Sequence, residues 1–430
     1  MATSIAGCST SLRAPSRVCS LHTRKQPRLC TARPVTCRAD GDREHYHQAH
    51  TLADMLRNCA IGLAAAASVA LPATFAPPEV MPTAQAGLLN ADPVKNARAL
   101  LRNALPIQNK PVRTIQVELE SISEALRIPG SKSLGPIAKS VRKAENTLGK
   151  ERQRIVEAFA PDKKEAGMAA LANLDRSFAE FDKIIESGDK QEVPIKQQEV
   201  LGYVGQVEEA MVKGFPFTVP SQYANLPQLK GRATIDMKIR LKETRLNGVT
   251  GGTMKIVVDG YNAPVTAGNF VDLVQRQFYD GMEIQRADGF VVQTGDPDGD
   301  AEGFVDPKTG EIRRIPFEIM VQGDKEPVYE ENLEDSGRFN EQPVLPFNAY
   351  GTLALARAEF DTNSGSSQVF FLLKESELTP TGSNLLDGRY AVFGYVTEGQ
   401  DLLQEMQVGD LIESAKVVDG LEYLQEPASA

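Results

Sequence analysis

The chain has 430 residues, which is long enough for two domains or more, and carries 47 Lys and Arg against 57 Asp and Glu. This acidic balance argues against a nucleic-acid partner, because such binding depends on neutralising phosphates with basic side chains. All five cysteines and all four histidines precede residue 60, so the rest of the chain has neither.

The N-terminal segment has the composition of two successive targeting signals. Residues 1–39 contain no acidic residue but hold seven Arg and Lys among many Ser and Thr, which predicts an organelle transit peptide over 1–40. Residues 41–86 then combine Arg57, an apolar run from Cys59 to Ala76, and the small-x-small sequence Ala84-Gln85-Ala86. This pattern predicts a signal that is cleaved after Ala86 and addresses the protein to the chloroplast thylakoid lumen.

The alternative for the apolar run is a transmembrane anchor. Prolines and a glycine interrupt the run, and it falls short of the roughly 20 residues that a spanning helix needs. We therefore expect the mature chain to have no transmembrane segment.

Cleavage after Ala86 would leave 430 − 86 = 344 residues without Cys, His or Trp. That composition excludes disulfides, thiolate nucleophiles, Cys/His zinc sites and Ser-His-Asp catalysis, and we predict no cofactor and no metal. The presequence holds 9 basic and 5 acidic residues, so the remainder has 47 − 9 = 38 against 57 − 5 = 52, a net charge of −14.

Residues 87–214 show apolar residues at helical spacing, separated by Lys, Arg, Glu and Gln, which predicts an antiparallel helical bundle. The alternative is a coiled coil that binds a partner, but no stripe keeps its repeat for three to four heptads. The predicted helices cover Asp92 to Leu105, Val112 to Ile128, Ile137 to Phe159, Leu171 to Ile185 and Val200 to Met211.

Residues 215–230 form a predicted Pro-rich linker, and the pattern changes to period two from Gly231. Two helices interrupt the strands, from Pro264 to Gln275 and from Gln400 to Met406. Residues 231–425 therefore predict a closed antiparallel β-barrel capped by two helices. The fold class is α+β multidomain, with an N-terminal all-α helical bundle followed by this barrel. Among the shorter predicted strands is Phe304-Val305.

Three segments carry the side chains that could form a site: IQRADGFVVQTGD from Ile284, SGSSQVFFLL from Ser364 and LLDGRYAVFGYV from Leu385. Their guanidinium, phenyl rings and amides suit gripping an apolar ring beside a peptide carbonyl better than moving protons. In order and spacing the segments resemble the cyclophilins, the cyclosporin-binding type of peptidyl-prolyl isomerase. With its targeting signals and helical region, the whole chain is similar to the two-domain cyclophilins of the thylakoid lumen.

The resemblance implies roles for individual residues. Arg286 would be the catalytic arginine, Phe290 and Phe370 would line the proline pocket, and Gln293 would orient Arg286 and the peptide. The other positions that match the family's groove are Val291, Ala356, Arg357, Gln368, Leu385, Leu386 and Tyr390. The alternative is structural: the phenylalanines could be barrel core, and the glutamines could satisfy buried backbone groups.

Several of these positions depart from the family pattern. Val291 stands in place of the usual Met, Arg357 in place of an Asn, Leu385 in place of the tryptophan that contacts cyclosporin, and Tyr390 in place of a histidine. The stretch after Arg286 is also one residue shorter than usual. Weak or absent isomerase activity and weak drug binding follow as expectations.

An acidic insertion covers residues 296–341, where 14 Asp and Glu face five Lys and Arg, a net charge of −9. It could be a solvated loop, a docking surface for a basic partner segment, or a lid that contacts the helical bundle.

Two functional hypotheses remain. One is an active lumenal prolyl isomerase, autoinhibited by the helical domain. The other, which we favour, is a binding protein with weak or absent turnover. The resemblance implies a role in the assembly of photosystem II, with lumenal segments of photosystem II proteins as partners. For the active isomerase it also implies the regulation of a thylakoid protein phosphatase. Any membrane association would be peripheral and would run through protein partners.

Overall fold

The computed structural model describes residues 94–127, 133–375 and 384–427, and all of them belong to one compact unit. The predicted transit peptide and lumen signal lie outside these residues. Within the described ranges, no helix combines the length and the apolar character that crossing a bilayer requires.

The described N-terminal region is helical. The first helix begins later than its predicted start at Asp92, which lies outside the described residues. Residues 94–96 are irregular, and the Asn96 side chain caps the helix by accepting from the amide of Ala99 at 3.0 Å. The helices are α1 (Ala97–Asn103), α2 (Lys110–Arg127), α3 (Gly135–Glu157), α4 (Lys164–Ser187) and α5 (Glu192–Glu209).

Helices α2 to α5 bury their predicted apolar stripes against one another, which confirms the helical bundle. Gly188 ends α4 with a φ of 76°, a left-handed conformation that favours glycine. Buried members of this core include Ile115, Leu119, Val141, Leu148, Leu171, Phe178, Phe181, Val200 and Val204.

Helix α1 packs elsewhere. Its apolar residues Ala97, Leu100, Leu101 and Ala104 lie one helical turn apart and share a hydrophobic core with residues 291–395 of the following region. The first helix predicted for the bundle therefore packs on the β-sheet instead.

The second region is built around an antiparallel sheet of eight strands. Its strands are β2 (Arg232–Arg240), β3 (Gly251–Asp259), β4 (Ile284–Ala287), β5 (Val291–Thr294), β8 (Thr352–Leu355), β9 (Val369–Leu372), β10 (Val392–Glu398) and β11 (Leu411–Asp419). Their order is β11-β2-β3-β10-β8-β9-β5-β4. The two edges meet: Glu283 bridges Leu411, and the amide of Ile284 donates to the carbonyl of Asp410 at 2.8 Å. The sheet thus curls onto itself, as the predicted barrel requires.

Short strands and two helices complete this region. The helices are α6 (Pro264–Gln275), at its predicted bounds, and α7 (Leu402–Glu405). The short strands are β1 (Gln228–Leu229), β6 (Glu318–Ile319), β7 (Val328–Tyr329) and β12 (Leu424–Gln425). Strand β1 pairs with β12, so the end of the predicted linker is part of a small sheet. The predicted strand Phe304-Val305 is not formed; Val305 makes only an isolated bridge to Ile312.

The acidic insertion is anchored by buried charges. The Glu318 carboxylate, which is fully buried, accepts from the amides of Val265 and Thr266 and so caps the first turn of α6. Arg313 donates to Asp272 on the same helix at 2.7 Å. A loop solvated along its whole length is incompatible with these contacts.

Candidate functional site

A groove of about 760 Å³ opens on the barrel and gathers ten of the eleven predicted site residues. Leu385 does not line it and is 87% exposed. Other lining residues, which the sequence argument did not assign, include Asp296, Asp300, Glu302, Ile312, Arg314, Ala358, Asp361, Ser364 and Ser366.

Strand alternation explains why these side chains meet. On β5, Val291 and Gln293 face the groove, whereas Val292 between them belongs to the barrel core. On β9, Phe370 faces the groove, and Phe371 belongs to that core. The two strands pair antiparallel with Gln293 opposite Phe370, so an amide and a phenyl ring become neighbours.

The apolar end of the groove is a stack of rings. Phe370, only 6% exposed, lies parallel to Phe347 with 6.0 Å between ring centres and meets Tyr390 edge to face at 5.4 Å. Phe290 is 37% exposed. Phe370 is therefore both a groove residue and a core residue, in the same cluster as α1. Sequence reasoning missed Phe347, since nothing near it in the chain marks it as a support.

The polar side of the groove is a relay of amides. Gln293 donates from Nε2 to Oε1 of Gln368 at 2.9 Å, and Gln368 donates to Oδ1 of Asp296 and to the carbonyl of Glu302, both at 3.1 Å. Burial, together with the charge of Glu302, raises the pKa of Asp296. The Gln293 side chain thus donates to Gln368, whereas the resemblance implies that it orients Arg286.

Arg286 is held by a residue that sequence reasoning did not single out. Its Nε donates to Oδ2 of Asp288 at 2.7 Å, and its Nη2 lies 2.5 Å from the same oxygen in an ion pair. The other oxygen, Oδ1, accepts from the amides of Phe290 and Val291, each at 2.9 Å. The Val291 amide, with the Phe290 amide and the Arg286 guanidinium, lowers the pKa of Asp288 to about 2. A signal existed: Asp288 precedes Phe290 by two residues, and an Asp side chain often accepts from the backbone amide two residues on.

Arg357 ties together two loops at the rim. Its Nε donates to the carbonyl of Arg389 at 3.0 Å, and its Nη1 donates to the carbonyls of Ala358 and Glu359 at 2.9 and 3.1 Å. The guanidinium carbon lies 4.9 Å from the centre of the Tyr390 ring. The two positions that the resemblance matches to an Asn and a His thus carry a cation that stacks on a ring.

This arrangement suits a prolyl amide. Rotation about the bond faces a barrier of about 18–20 kcal/mol, because the nitrogen lone pair is delocalised into the carbonyl. A cation that donates to the nitrogen, beside a pocket that holds the ring, favours the twisted state without any covalent step. Among the residues that the structure describes, no group of three His, Cys, Asp or Glu side chains is placed to hold a metal ion.

Comparison with known proteins matches both regions. Residues 96–212 match the PsbQ-like domain of CYP38-like peptidyl-prolyl cis-trans isomerases, and residues 243–422 match the cyclophilin-type isomerases. The chain is 49% identical to "Peptidyl-prolyl cis-trans isomerase CYP38, chloroplastic" of Arabidopsis thaliana across 93% of both chains.

Two further relatives agree with this match. A Synechocystis protein named as a thylakoid lumen peptidyl-prolyl cis-trans isomerase is 44% identical, across 78% of this chain and 86% of its own. Arabidopsis CYP37, a chloroplastic isomerase by name, is 33% identical, across 76% of this chain and 70% of its own. These relatives support the predicted location in the chloroplast thylakoid lumen. The chain therefore belongs to the cyclophilin-type peptidyl-prolyl cis-trans isomerases, in the CYP38-like group that carries a PsbQ-like domain before the cyclophilin domain.

Proposed function

We propose that the protein binds prolyl segments in this groove and acts in the thylakoid lumen as an assembly factor for photosystem II, with weak isomerase activity. One observation carries the proposal: the ring pocket and the amide relay line one open groove, whereas the groups that would drive turnover are altered or engaged.

The expected weakness of turnover has separate sources. Val291 is smaller than the methionine of the family pattern and leaves a looser wall beside the proline ring. Arg357 adds bulk and charge at the rim, where it stacks on Tyr390. Each 1.4 kcal/mol of lost transition-state stabilisation lowers the rate about tenfold, whereas binding through the ring pocket can persist.

The partners we propose are lumenal segments of photosystem II proteins and, in a regulatory role, a thylakoid protein phosphatase. The lumenal location supports the first. The acidic groove residues Asp296, Asp300 and Glu302 would favour a segment with a basic side chain near its proline. Membrane association would be peripheral, through these partners.

A second candidate function is an active folding catalyst, which the retained Arg286 at the groove favours. Direct occlusion by the bundle does not follow from the geometry, because the residues lining the groove all lie between 286 and 390 in the described chain. Suppression by the helical region would have to act through the core that α1 shares with Phe370.

The experiment measures peptide binding and turnover separately on the full chain. Chemical-shift changes of short X-Pro peptides give affinity, and magnetisation-exchange NMR gives the isomerisation rate. We expect Phe290→Ala to weaken binding, whereas Phe339→Ala, which truncates an exposed phenylalanine away from the groove, should not. Arg286→Ala should retain binding and lose the residual exchange.

Two outcomes would contradict the proposal. Equal affinities of Phe290→Ala and Phe339→Ala would show that peptides bind elsewhere. Rapid exchange by the wild-type chain, at a rate set by Arg286, would favour the folding catalyst. For the partner, binding of photosystem II lumenal segments by the wild-type chain should likewise fall in Phe290→Ala and not in Phe339→Ala.

A further inference from the structure

The Asp288 carboxylate divides its two oxygens between the backbone of its own turn and the guanidinium of Arg286. Oδ1 accepts from two backbone amides, and Oδ2 accepts from Nε of Arg286 and forms an ion pair with its Nη2. The first set of bonds shapes the turn between β4 and β5, and the second occupies the cation. One side chain therefore has a structural task and an electrostatic one, and these can be separated by substitution.

The turn itself directs the carboxylate to the arginine. Gly289, with a φ of 79°, follows Asp288 and lets the chain reverse within a short hairpin. Arg286 lies on β4, which ends at Ala287, and Asp288 is the next residue, in the turn. Across the hairpin, Arg286 pairs with Gln293, whose side-chain amide donates to Gln368. The contacts that the structure gives the Arg286 guanidinium are accordingly those to Asp288.

The position of this ion pair bears on turnover. In the described structure Arg286 lines the groove, and a guanidinium that donates to a prolyl nitrogen stabilises the twisted amide. A carboxylate at 2.5 Å neutralises that cation and takes its Nε donor. To act on a bound peptide, the guanidinium would have to release Asp288 or share its charge with it.

We propose that Asp288 is a positioning residue that holds Arg286 away from the prolyl nitrogen and so lowers turnover without lowering peptide affinity. This inference rests on the proposed function, namely that the groove binds prolyl segments. The pKa of Asp288, lowered to about 2 by its backbone and guanidinium contacts, keeps the carboxylate charged at neutral and mildly acidic pH. In that pH range Arg286 would be released from Asp288 by ions or substrate that compete for the guanidinium, and not by protonation of the carboxylate.

The pair is exposed, which sets the size of the effect. The side chains of Arg286 and Asp288 are 54% and 38% exposed, and exposed ion pairs contribute about 0–1 kcal/mol. Removing the charge should therefore raise the isomerisation rate up to about fivefold.

The test uses Asp288→Asn in the full chain, because an asparagine Oδ1 can still accept from the amides of Phe290 and Val291. Asp288→Ala removes both the bonds to the turn amides and the ion pair with Arg286, so its difference from Asp288→Asn measures the effect of the turn on the rate. Glu413→Gln is the matched control, since it neutralises one partner of the exposed Lys238–Glu413 pair, which lies outside the groove. Magnetisation exchange on an X-Pro peptide gives the rate, and chemical-shift titration gives the affinity.

We expect Asp288→Asn to raise the rate with unchanged affinity, and Glu413→Gln to change neither. The gain should vanish in the double variant Arg286→Ala/Asp288→Asn, because the effect acts through the guanidinium. Added salt, which shortens the Debye length to about 3 Å at 1 M, should raise the wild-type rate more than that of Asp288→Asn.

A readout without peptide tests the pair directly. The Nε–H resonance of Arg286 should shift, and its exchange with water should speed up, in Asp288→Asn but not in Glu413→Gln. An unchanged resonance would overturn the inference.

The remaining outcomes separate the inference from the proposed function. Peptide binding with no rate gain in Asp288→Asn would overturn the inference and leave the binding function intact. A gain that persists without Arg286 would also overturn it, because the effect would then come from the turn. Absence of peptide binding in every variant would refute the proposed function and, with it, this inference.

Discussion

Arg232 forms a buried ion pair within the barrel and also donates to the helical region, so its removal should be costly. Its Nε and Nη2 donate to Oδ2 of Asp259 at 3.0 and 2.6 Å, and Nη2 also donates to the carbonyl of Leu101 at the end of α1. Asp259 is fully buried, and the Arg232 side chain is 11% exposed. Arg232→Met would keep much of the side-chain volume but leave a buried carboxylate without its cation.

The magnitude follows from that uncompensated charge. Breaking a buried pair by removing one partner costs about 3–5 kcal/mol, most of it from the charge left behind. Asp259 keeps its Oδ1 bonds from the backbone and side-chain nitrogens of Asn262, both at 3.1 Å, so we expect the lower part of that range. Adding Asp259→Asn to Arg232→Met removes the charge and should recover a large share of the loss.

The assay is urea unfolding of the full chain, followed by far-UV circular dichroism. The matched control is Lys238→Met, also on β2, whose pair with Glu413 is 54% and 43% exposed and should contribute under about 1 kcal/mol. The buried pair would not have the stabilising role assigned to it if Arg232→Met lowered the free energy of unfolding no more than Lys238→Met. The same would follow if the double variant were less stable than Arg232→Met alone.

Three further perturbations test other parts of the structure. Burial raises the pKa of Glu208 to about 8 from an ordinary value of 4.5. Between these two pKa values the folded state holds a proton that the unfolded state has lost. The free energy of unfolding should therefore fall as pH rises, by at most about 1.4 kcal/mol per pH unit. Urea unfolding at about pH 5 and about pH 7.5 should show that slope in the wild type and not in Glu208→Gln; equal slopes would contradict it. Arg357→Asn removes the cation that stacks on the Tyr390 ring, a contact that contributes about 0.5–1 kcal/mol. Because the ring is then free to contact a peptide, X-Pro peptides should bind about two- to fivefold tighter in a chemical-shift titration. Weaker binding would instead show that Arg357 contacts the peptide. Glu318→Ala leaves the backbone amides of Val265 and Thr266 without their buried acceptor. It should lower the free energy of unfolding by about 1–3 kcal/mol and lower Tm. An unchanged Tm would mean that Glu318 does not anchor the insertion.

Much of the fold was predictable because its signals are local. Apolar residues three and four apart mark α2 to α5, and alternation marks β2 and β3. The helix over Pro264–Gln275 was placed at its observed bounds, since a proline opens it and an apolar face continues through it. Nine of the eleven groove residues lie in three short segments that carry the resemblance, and Ala356 and Arg357 lie between the first two; the structure brings all but Leu385 to one groove.

The sequence by itself determined the helical and strand content, the absence of Cys and His after residue 59, and the segments from which a site could be built. Only the tertiary structure decided that α1 packs on the barrel, that Phe347 supports Phe370, and that Asp288 engages Arg286. The physical reason is that periodicity shows which face of an element is apolar, but not which surface will cover it. Likewise, the direction of a charged side chain depends on the donors and acceptors that folding places within hydrogen-bonding distance.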